Sequence, residues 1–164
     1  MQYLSIILTV AVIHLLAVMS PGPDFIMIMR NSLKYSRRTG VYSAIGLGLG
    51  ILLHVTYCLA GVALLISRSL VLFSIIKFIG AGYLIYIGYK SLRAAPAKTH
   101  FENSTNTGLD LSPLKAIRVG FITNATNPKA TLFFLSLFTL VIRPETPLWV
   151  KLFMGGEMSV VTFA

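Results

Sequence analysis

Five long apolar runs divide this chain, at about residues 3–29, 41–66, 70–89, 117–142 and 149–164. Each is roughly 16 to 27 residues long, and about 20 apolar residues suffice for a helix to cross a bilayer. A single soluble core of 164 residues has no room for five such runs. Charged residues make up only 12% of the chain, about half the share usual in soluble domains. The runs therefore predict an all-α integral membrane protein with about five transmembrane helices.

The basic residues lie mainly between the runs and predict the orientation of the chain. The net charge of +9 is of the kind that attracts nucleic acid, but positive charge in short segments between apolar runs is typical of membrane topology instead. The first and third loops carry nine basic residues: Arg30, Lys34, Arg37, Arg38, Lys90, Arg93, Lys98, Lys115 and Arg118. The second and fourth loops carry three: Arg68, Arg143 and Lys151. Loops one and three are expected in the cytoplasm, and the N-terminus outside.

The first run is interrupted by Ser20, Pro21, Gly22, Pro23 and Asp24. Two prolines remove two backbone donors, and a helix break in hydrocarbon is tolerated where it faces protein or a water-filled cavity. A carboxylate at that depth costs roughly 3 kcal/mol or more unless it finds a partner, a proton or water. The motif therefore predicts a polar cavity in which these five residues contribute to a substrate-binding site, with Asp24 also as its proton-coupling group. The alternative is that the first helix ends at Met19 and the prolines form a cytoplasmic turn.

The fourth run carries a second break, at Asn127, Pro128 and Lys129. Pro128 interrupts the hydrogen-bond ladder, and Lys129 places a charge inside an apolar run. Asn124 lies three residues before Asn127, a spacing that allows a shared helix face. We expect these four residues to contribute to the same binding site. The alternative is that Lys129 extends its ammonium group to a membrane interface.

The two breaks lie at matching depths. Pro21 is nine residues before Arg30, and Pro128 is ten residues after Arg118, so each lies about 14–15 Å from the cytoplasmic end of its run. Matched breaks in helices of opposite direction indicate a transporter built from inverted repeats. One domain over 1–164 is predicted: a three-helix repeat at 1–89, a cytoplasmic loop at 90–116, and an incomplete second repeat at 117–164. A sixth helix would complete it. Either the chain is truncated at its C-terminus or its last helix is short.

Several isolated residues within the runs have simpler interpretations. The glycines of the second and third runs (Gly46, Gly50, Gly80, Gly82 and Gly88) are expected to let helices pack closely. His14 and His54 are interpreted as hydrogen-bonded interior residues, and Glu157 as a weaker candidate for the cavity. Cys58 is the only cysteine, so no disulfide forms within the chain. Each run carries at most two His, Cys, Asp or Glu side chains, so no metal or cofactor is predicted.

These motifs resemble the lysine exporter and homoserine–threonine resistance family of bacterial translocators, most closely its threonine exporters. The resemblance is carried by the stretches at residues 14–24 (HLLAVMSPGPD), 36–40 (SRRTG), 77–93 (KFIGAGYLIYIGYKSLR) and 123–130 (TNATNPKA). It covers nearly the whole chain and implies six helices in the bacterial inner membrane. It also implies export of small neutral amino acids, such as threonine or homoserine, driven by the proton gradient. Family members extend past residue 164.

The expected function is therefore a secondary transporter, with an amino acid, protons and membrane lipid as partners and with no nucleic acid. A homodimer is possible. The alternatives are an inactive, truncated remnant of such a transporter and a membrane-embedded enzyme. An enzyme is disfavoured because Ser20, the only nucleophile in the first motif, has no histidine base within that motif.

Overall fold

A computed structural model describes residues 2–19, 22–93, 110–143 and 145–163. All the regular elements in these ranges are helices: α1 (Gln2–Met19), α2 (Pro23–Lys34), α3 (Arg37–Arg68), α4 (Leu70–Leu92), α5 (Pro113–Ala125), α6 (Pro128–Val141) and α7 (Leu148–Phe163). The five predicted runs become seven helices because the first and the fourth run are each divided in two. The division falls at the predicted proline motifs.

Proline begins the second half of each divided run. Pro23 starts α2 and Pro128 starts α6. At the first position of a helix the backbone N–H has no partner within the helix, so proline, which lacks this group, loses no hydrogen bond there. Asn127 precedes Pro128 and caps α6, because its side chain accepts the backbone N–H of Lys129 at 3.0 Å. At the first break, α2 is bent by 57° from the direction of α1. Both interruptions are thus helix boundaries built into the fold.

The longest helix, α3, is the centre of the bundle, and glycines bring it against α5. A methyl group added at Gly46 would overlap the carbonyl of Ile117, and one added at Gly120 would overlap the carbonyl of Ser43. At Gly50 the same methyl group would lie 2.6 Å from the side-chain oxygen of Asn124. The predicted packing role of Gly46 and Gly50 is therefore confirmed. We call the contact through Gly46, Gly50 and Gly120 the glycine seam.

The other helices pack around this centre in pairs. Gly80 on α4 lies against Ser136 on α6, as the packing interpretation predicts. On α7, Gly155 lies against Val55 of α3. The Ser159 hydroxyl, also on α7, donates to the Gly48 carbonyl at 2.9 Å. A continuous apolar core fills the space between α1, α3, α6 and α7, with Val10, Val55, Phe134, Phe138, Met154 and Met158 among its members.

The packing interpretation is wrong for Gly82 and Gly88. A methyl group added at either position would meet nothing within 4 Å, because both lie on the outer face of α4. Large apolar side chains share that face and are mostly exposed, such as Phe78 at 76% and Ile85 at 73%. A water-soluble protein rarely exposes apolar surface on this scale. The outer face of α4 is suited to lipid.

Helix length and composition agree with a multi-pass membrane protein. Arg37–Val62 within α3 and Leu70–Lys90 within α4 are each long and apolar enough to cross a bilayer. The bent pair α1 and α2 makes a third candidate span, whereas α6 is apolar but shorter. The all-α membrane fold is confirmed. Its division into two inverted three-helix repeats remains a prediction.

Basic and aromatic side chains pair at the end of the bundle predicted to be cytoplasmic. Lys34 lies over Tyr35, Arg38 over Tyr42, Lys90 over Tyr86 and Arg93 over Tyr89, with 4.8–6.0 Å from each charge to the ring centroid. The Thr39 hydroxyl at the start of α3 donates to Asp110, just before α5, which brings the N-terminal ends of α3 and α5 together. Aromatic and basic residues are typical of a membrane interface.

Candidate functional site

A cavity of about 650 Å³ lies where the two divided runs meet. Helices α1, α2, α3, α5 and α6 all contribute to its wall. Apolar side chains cover most of it, among them Leu47, Ile51, Phe133 and Phe134. Few polar groups interrupt that wall, an arrangement typical of small-molecule sites. The chain therefore has a concave, mostly apolar compartment with polar groups at fixed positions.

Asp24 and Asn124 provide a polar contact between the two halves of the chain. The Asn124 side-chain amide donates to Asp24 Oδ2 at 2.8 Å, joining the first turn of α2 to the last turn of α5. Among the described residues, Asp24 Oδ1 and Asn124 Oδ1 are buried and accept no hydrogen bond. Both residues line the cavity. Unsatisfied buried acceptors are costly, so this pair is prepared to accept hydrogen bonds from a ligand or from water.

Lys129 brings a positive charge to the same cavity. It is the second residue of α6, is half-buried, and lines the wall together with Asp24. A lysine at a helix N-terminus opposes the helix dipole, so this cation is poorly placed for the stability of α6 and well placed to attract an anion. The charged side chains that line the cavity are Asp24, Lys129 and Arg37.

His14 supplies a polar group among the aromatic rings of the cavity. It is only 2% exposed and packs near the rings of Phe133 and Phe134, at 6.0 and 5.8 Å between centroids. Its Nε2 lies 3.3 Å from the Thr162 hydroxyl of α7, whereas Nδ1 has no partner among the described residues. The interpretation as a hydrogen-bonded interior residue is confirmed, and the residue also lines the cavity.

Sequence reasoning missed the part that His54 plays beside this cavity. The residue is fully buried on α3, and its Nε2 lies 2.9 Å from the backbone carbonyl of Asn124. It is hydrogen-bonded and interior, as expected. Its partner, however, belongs to the helix break. The spacing of four residues from Gly46 to Gly50 to His54 was the available signal, because it places all three on the face of α3 that meets α5.

The predicted site residues are largely brought together. Gly22, Asp24, Asn124, Asn127 and Lys129 line the cavity. Pro23 and Pro128 begin the helices that carry Asp24 and Lys129. Ser20 and Pro21 lie outside the described residues, and Glu157 is not among the lining residues. Among the described residues, no group of three or more His, Cys, Asp or Glu side chains is arranged to hold a metal ion.

Comparison with known proteins gives a consistent set of relatives. The sequence model of the LysE type translocator family matches residues 15–164. A threonine efflux protein of Salmonella typhi is 32% identical over 140 residues, covering 85% of this chain and 68% of that protein. A threonine efflux protein of Escherichia coli K12 matches with the same identity and coverage.

An uncharacterized membrane protein of Vibrio cholerae is 30% identical over 158 residues, covering 96% of this chain and 73% of its own length. For the threonine efflux protein of Salmonella typhimurium, 33% identical over 135 residues, the covered share of the relative is 65%. The chain thus spans about two thirds of the length of these threonine efflux proteins. No solved structure is significantly similar.

Proposed function

We propose that this chain, which belongs to the LysE type translocator family, exports small neutral amino acids across a bacterial inner membrane in exchange for protons. A translocator moves its substrate without converting it, so the chain is a transport protein and not an enzyme. The threonine efflux proteins among its relatives support an amino acid resembling threonine or homoserine as the substrate. The chain's span of about two thirds of these relatives makes its own transport activity part of the proposal.

The observation that carries the proposal is the meeting of Asp24 and Lys129 in one cavity. An amino acid is a zwitterion, with an ammonium group and a carboxylate two bonds apart. The free acceptors Asp24 Oδ1 and Asn124 Oδ1 suit the ammonium group. The Lys129 ammonium group and the positive end of the α6 dipole suit the carboxylate. The apolar wall then receives the side chain.

The same geometry supports exchange with protons. Asp24 Oδ1 binds either a substrate ammonium group or a proton, because the two compete for one oxygen. On the cytoplasmic side, Asp24 gives up its proton and binds substrate. On the outer side, substrate leaves and a proton takes its place. Each cycle moves one amino acid out and one proton in, so the proton gradient drives export.

Lys129 stabilises the site while no substrate is bound, because its positive charge offsets the negative charge of Asp24. Two unpaired charges at this depth would together oppose membrane insertion by roughly 5–7 kcal/mol. Their mutual attraction across the cavity lowers that cost. A tight ion pair would be less useful, since both charges have to be available for substrate. We therefore propose that Asp24 and Lys129 lie close together in one polar pocket and are not necessarily in contact.

Efflux from proteoliposomes tests the proposal. The purified protein is reconstituted, the vesicles are loaded with labelled threonine, homoserine, leucine or lysine, and the outside is acidified. We expect efflux of threonine or homoserine to exceed that of lysine and to accelerate with the inward proton gradient. An efflux rate that is the same with and without the proton gradient would contradict proton exchange. The absence of efflux for every amino acid would contradict the proposed function.

A further inference from the structure

His54 contacts Asn124, whose side chain is hydrogen-bonded to Asp24. Its Nε2 lies 2.9 Å from the Asn124 carbonyl oxygen, and the Asn124 side chain donates to Asp24 Oδ2 at 2.8 Å. The same carbonyl accepts the backbone N–H of Asn127 at 2.9 Å. Asn124 therefore connects three things: the carboxylate, the helix break and a buried imidazole on α3.

The hydrogen bonds fix the tautomer of His54. A carbonyl oxygen only accepts, so Nε2 carries the ring hydrogen and donates it to Asn124. Nδ1 is then an acceptor, and the Tyr57 hydroxyl donates to it at close range. Both ring nitrogens of His54 are thus occupied while the ring is neutral.

The face of the ring is also in contact with a neighbour. His54 is stacked on Phe134 at 5.5 Å between centroids, with an angle of 13° between the ring planes. Contacts on both nitrogens and on one face fix the orientation of the ring, so His54 is suited to hold a neighbour in place.

We infer that His54 is a positioning residue, which holds the end of α5 so that the Asn124 amide keeps the Asp24 carboxylate in place at the wall of the cavity. The last carbonyl groups of a helix lack partners inside the helix. The Asn124 carbonyl accepts the Asn127 N–H from the break and the His54 Nε2–H from α3, so His54 is a contact that attaches this end of α5 to a neighbouring helix. The inference rests on the proposed function for its consequence in transport, whereas the effect on Asp24 itself is independent of transport.

A carbodiimide that modifies protonated carboxyl groups in membranes measures this effect directly. The fraction of Asp24 modified at each pH is read by mass spectrometry in purified protein. The charged groups that line the cavity with Asp24 are Lys129 and Arg37, with the titratable His14 beside them and His54 behind Asn124. Of these groups, only His54 is replaced in the variants described next.

Three variants separate positioning from general packing. His54→Leu removes the donor, His54→Gln returns an N–H group near the place of Nε2, and Thr139→Val removes a hydroxyl that is equally buried within α6. We expect modification of Asp24 near neutral pH to rise roughly three- to tenfold in His54→Leu. Once the end of α5 is no longer held, the Asp24 carboxylate loses a stable hydrogen bond from the Asn124 amide. His54→Gln and Thr139→Val should stay near the wild-type value.

Transport is the second readout. In proteoliposomes, His54→Leu should raise KM for the exported amino acid more than it lowers kcat, and His54→Gln should restore KM. Equal Asp24 modification in His54→Leu and wild type, or no rescue by His54→Gln, would overturn the inference. Wild-type protein without any efflux would instead count against the proposed function, and the modification profile would still decide the role of His54.

Discussion

Asp24 and Lys129 occupy equivalent positions in two half-helices: each is the second residue of a helix that begins with proline, and both face one cavity. Their helices belong to the first and fourth apolar runs, which the sequence predicts to cross the membrane in opposite directions. A carboxylate and an ammonium group are thus presented to the same space from the two halves of the chain. This relationship leads to the first two predictions.

Replacing Asp24 by Asn should abolish proton-driven export while leaving the amount of protein in the membrane unchanged. Asparagine keeps the shape of the side chain but neither ionises nor binds a proton, so both halves of the exchange are lost. Efflux of labelled amino acid under an inward proton gradient measures the effect. Asp110→Asn is the matched control, because Asp110 is exposed and outside the cavity. Normal gradient-driven efflux in Asp24→Asn would contradict the proposed mechanism.

Replacing Lys129 by Ala should weaken export roughly tenfold, the factor that corresponds to about 1.4 kcal/mol of binding energy. The variant loses the charge that attracts the substrate carboxylate and that balances Asp24. Modification of Asp24 by carbodiimide should also rise, since the carboxylate loses a neighbouring cation. The exposed Lys115 provides the control variant Lys115→Ala. Export and Asp24 modification both unchanged in Lys129→Ala would show that the two charges act independently.

Replacing Pro21 and Pro23 together by Ala should reduce export sharply and increase thermal stability in detergent. The double change allows α1 and α2 to join, which would restore backbone hydrogen bonds and close one side of the cavity. A proline in a helix interior costs about 3 kcal/mol. Stability is measured by the melting temperature of the purified protein. Unchanged export would favour the alternative that the prolines form only a turn.

The glycine seam makes a prediction about packing. Gly46→Ala should destabilise the protein by about 1–3 kcal/mol, because its methyl group would overlap the Ile117 carbonyl. Gly82→Ala is the matched control in an open environment. It should be neutral or stabilising by up to about 1 kcal/mol, since alanine favours the helix more than glycine. Equal melting temperatures for the two variants would contradict the close approach of α3 and α5.

The predicted orientation is tested by labelling single cysteines in intact cells. Cys58 is buried, so it should contribute little background. A cysteine placed at Ser36, in the first loop, and one placed at Leu114, in the first turn of α5 beside the third loop, should be protected from an impermeant thiol reagent. A cysteine placed at Glu145, in the fourth loop, should be labelled. Labelling at Ser36 from outside would reverse the predicted topology.

The sequence predicts the positions of the helices well because the signals are local. Apolar length locates the runs, and proline has a direct backbone effect, so the divisions at Pro23 and Pro128 follow from single residues. The first turn of α3 was missed, since Arg37 and Arg38 are charged and lie before the apolar run at Val41. Charge does not end a helix whose polar end reaches the membrane interface.

The cavity was predictable in outline and not in its contacts. A charge inside an apolar run needs a polar environment, which identifies Asp24 and Lys129 separately. The hydrogen bond between Asp24 and Asn124 joins residues one hundred positions apart, and that pairing depends on how α2 and α5 cross. The failed interpretation of Gly82 and Gly88 has the same origin, because spacing on a helix does not reveal which face has a neighbour.

The close contact of α3 with α5 has a mechanical consequence. Because the glycine seam brings the backbones of α3 and α5 into direct contact, these two helices are expected to move as one rigid unit. Beyond the Thr126–Asn127 break, α6 packs against α4 through Gly80 and Ser136, which makes a second rigid unit. The short segment beside Asn124 and Lys129 connects the two units. Any motion that exposes the cavity alternately to the two membrane faces would therefore turn at the same residues that line the proposed binding site.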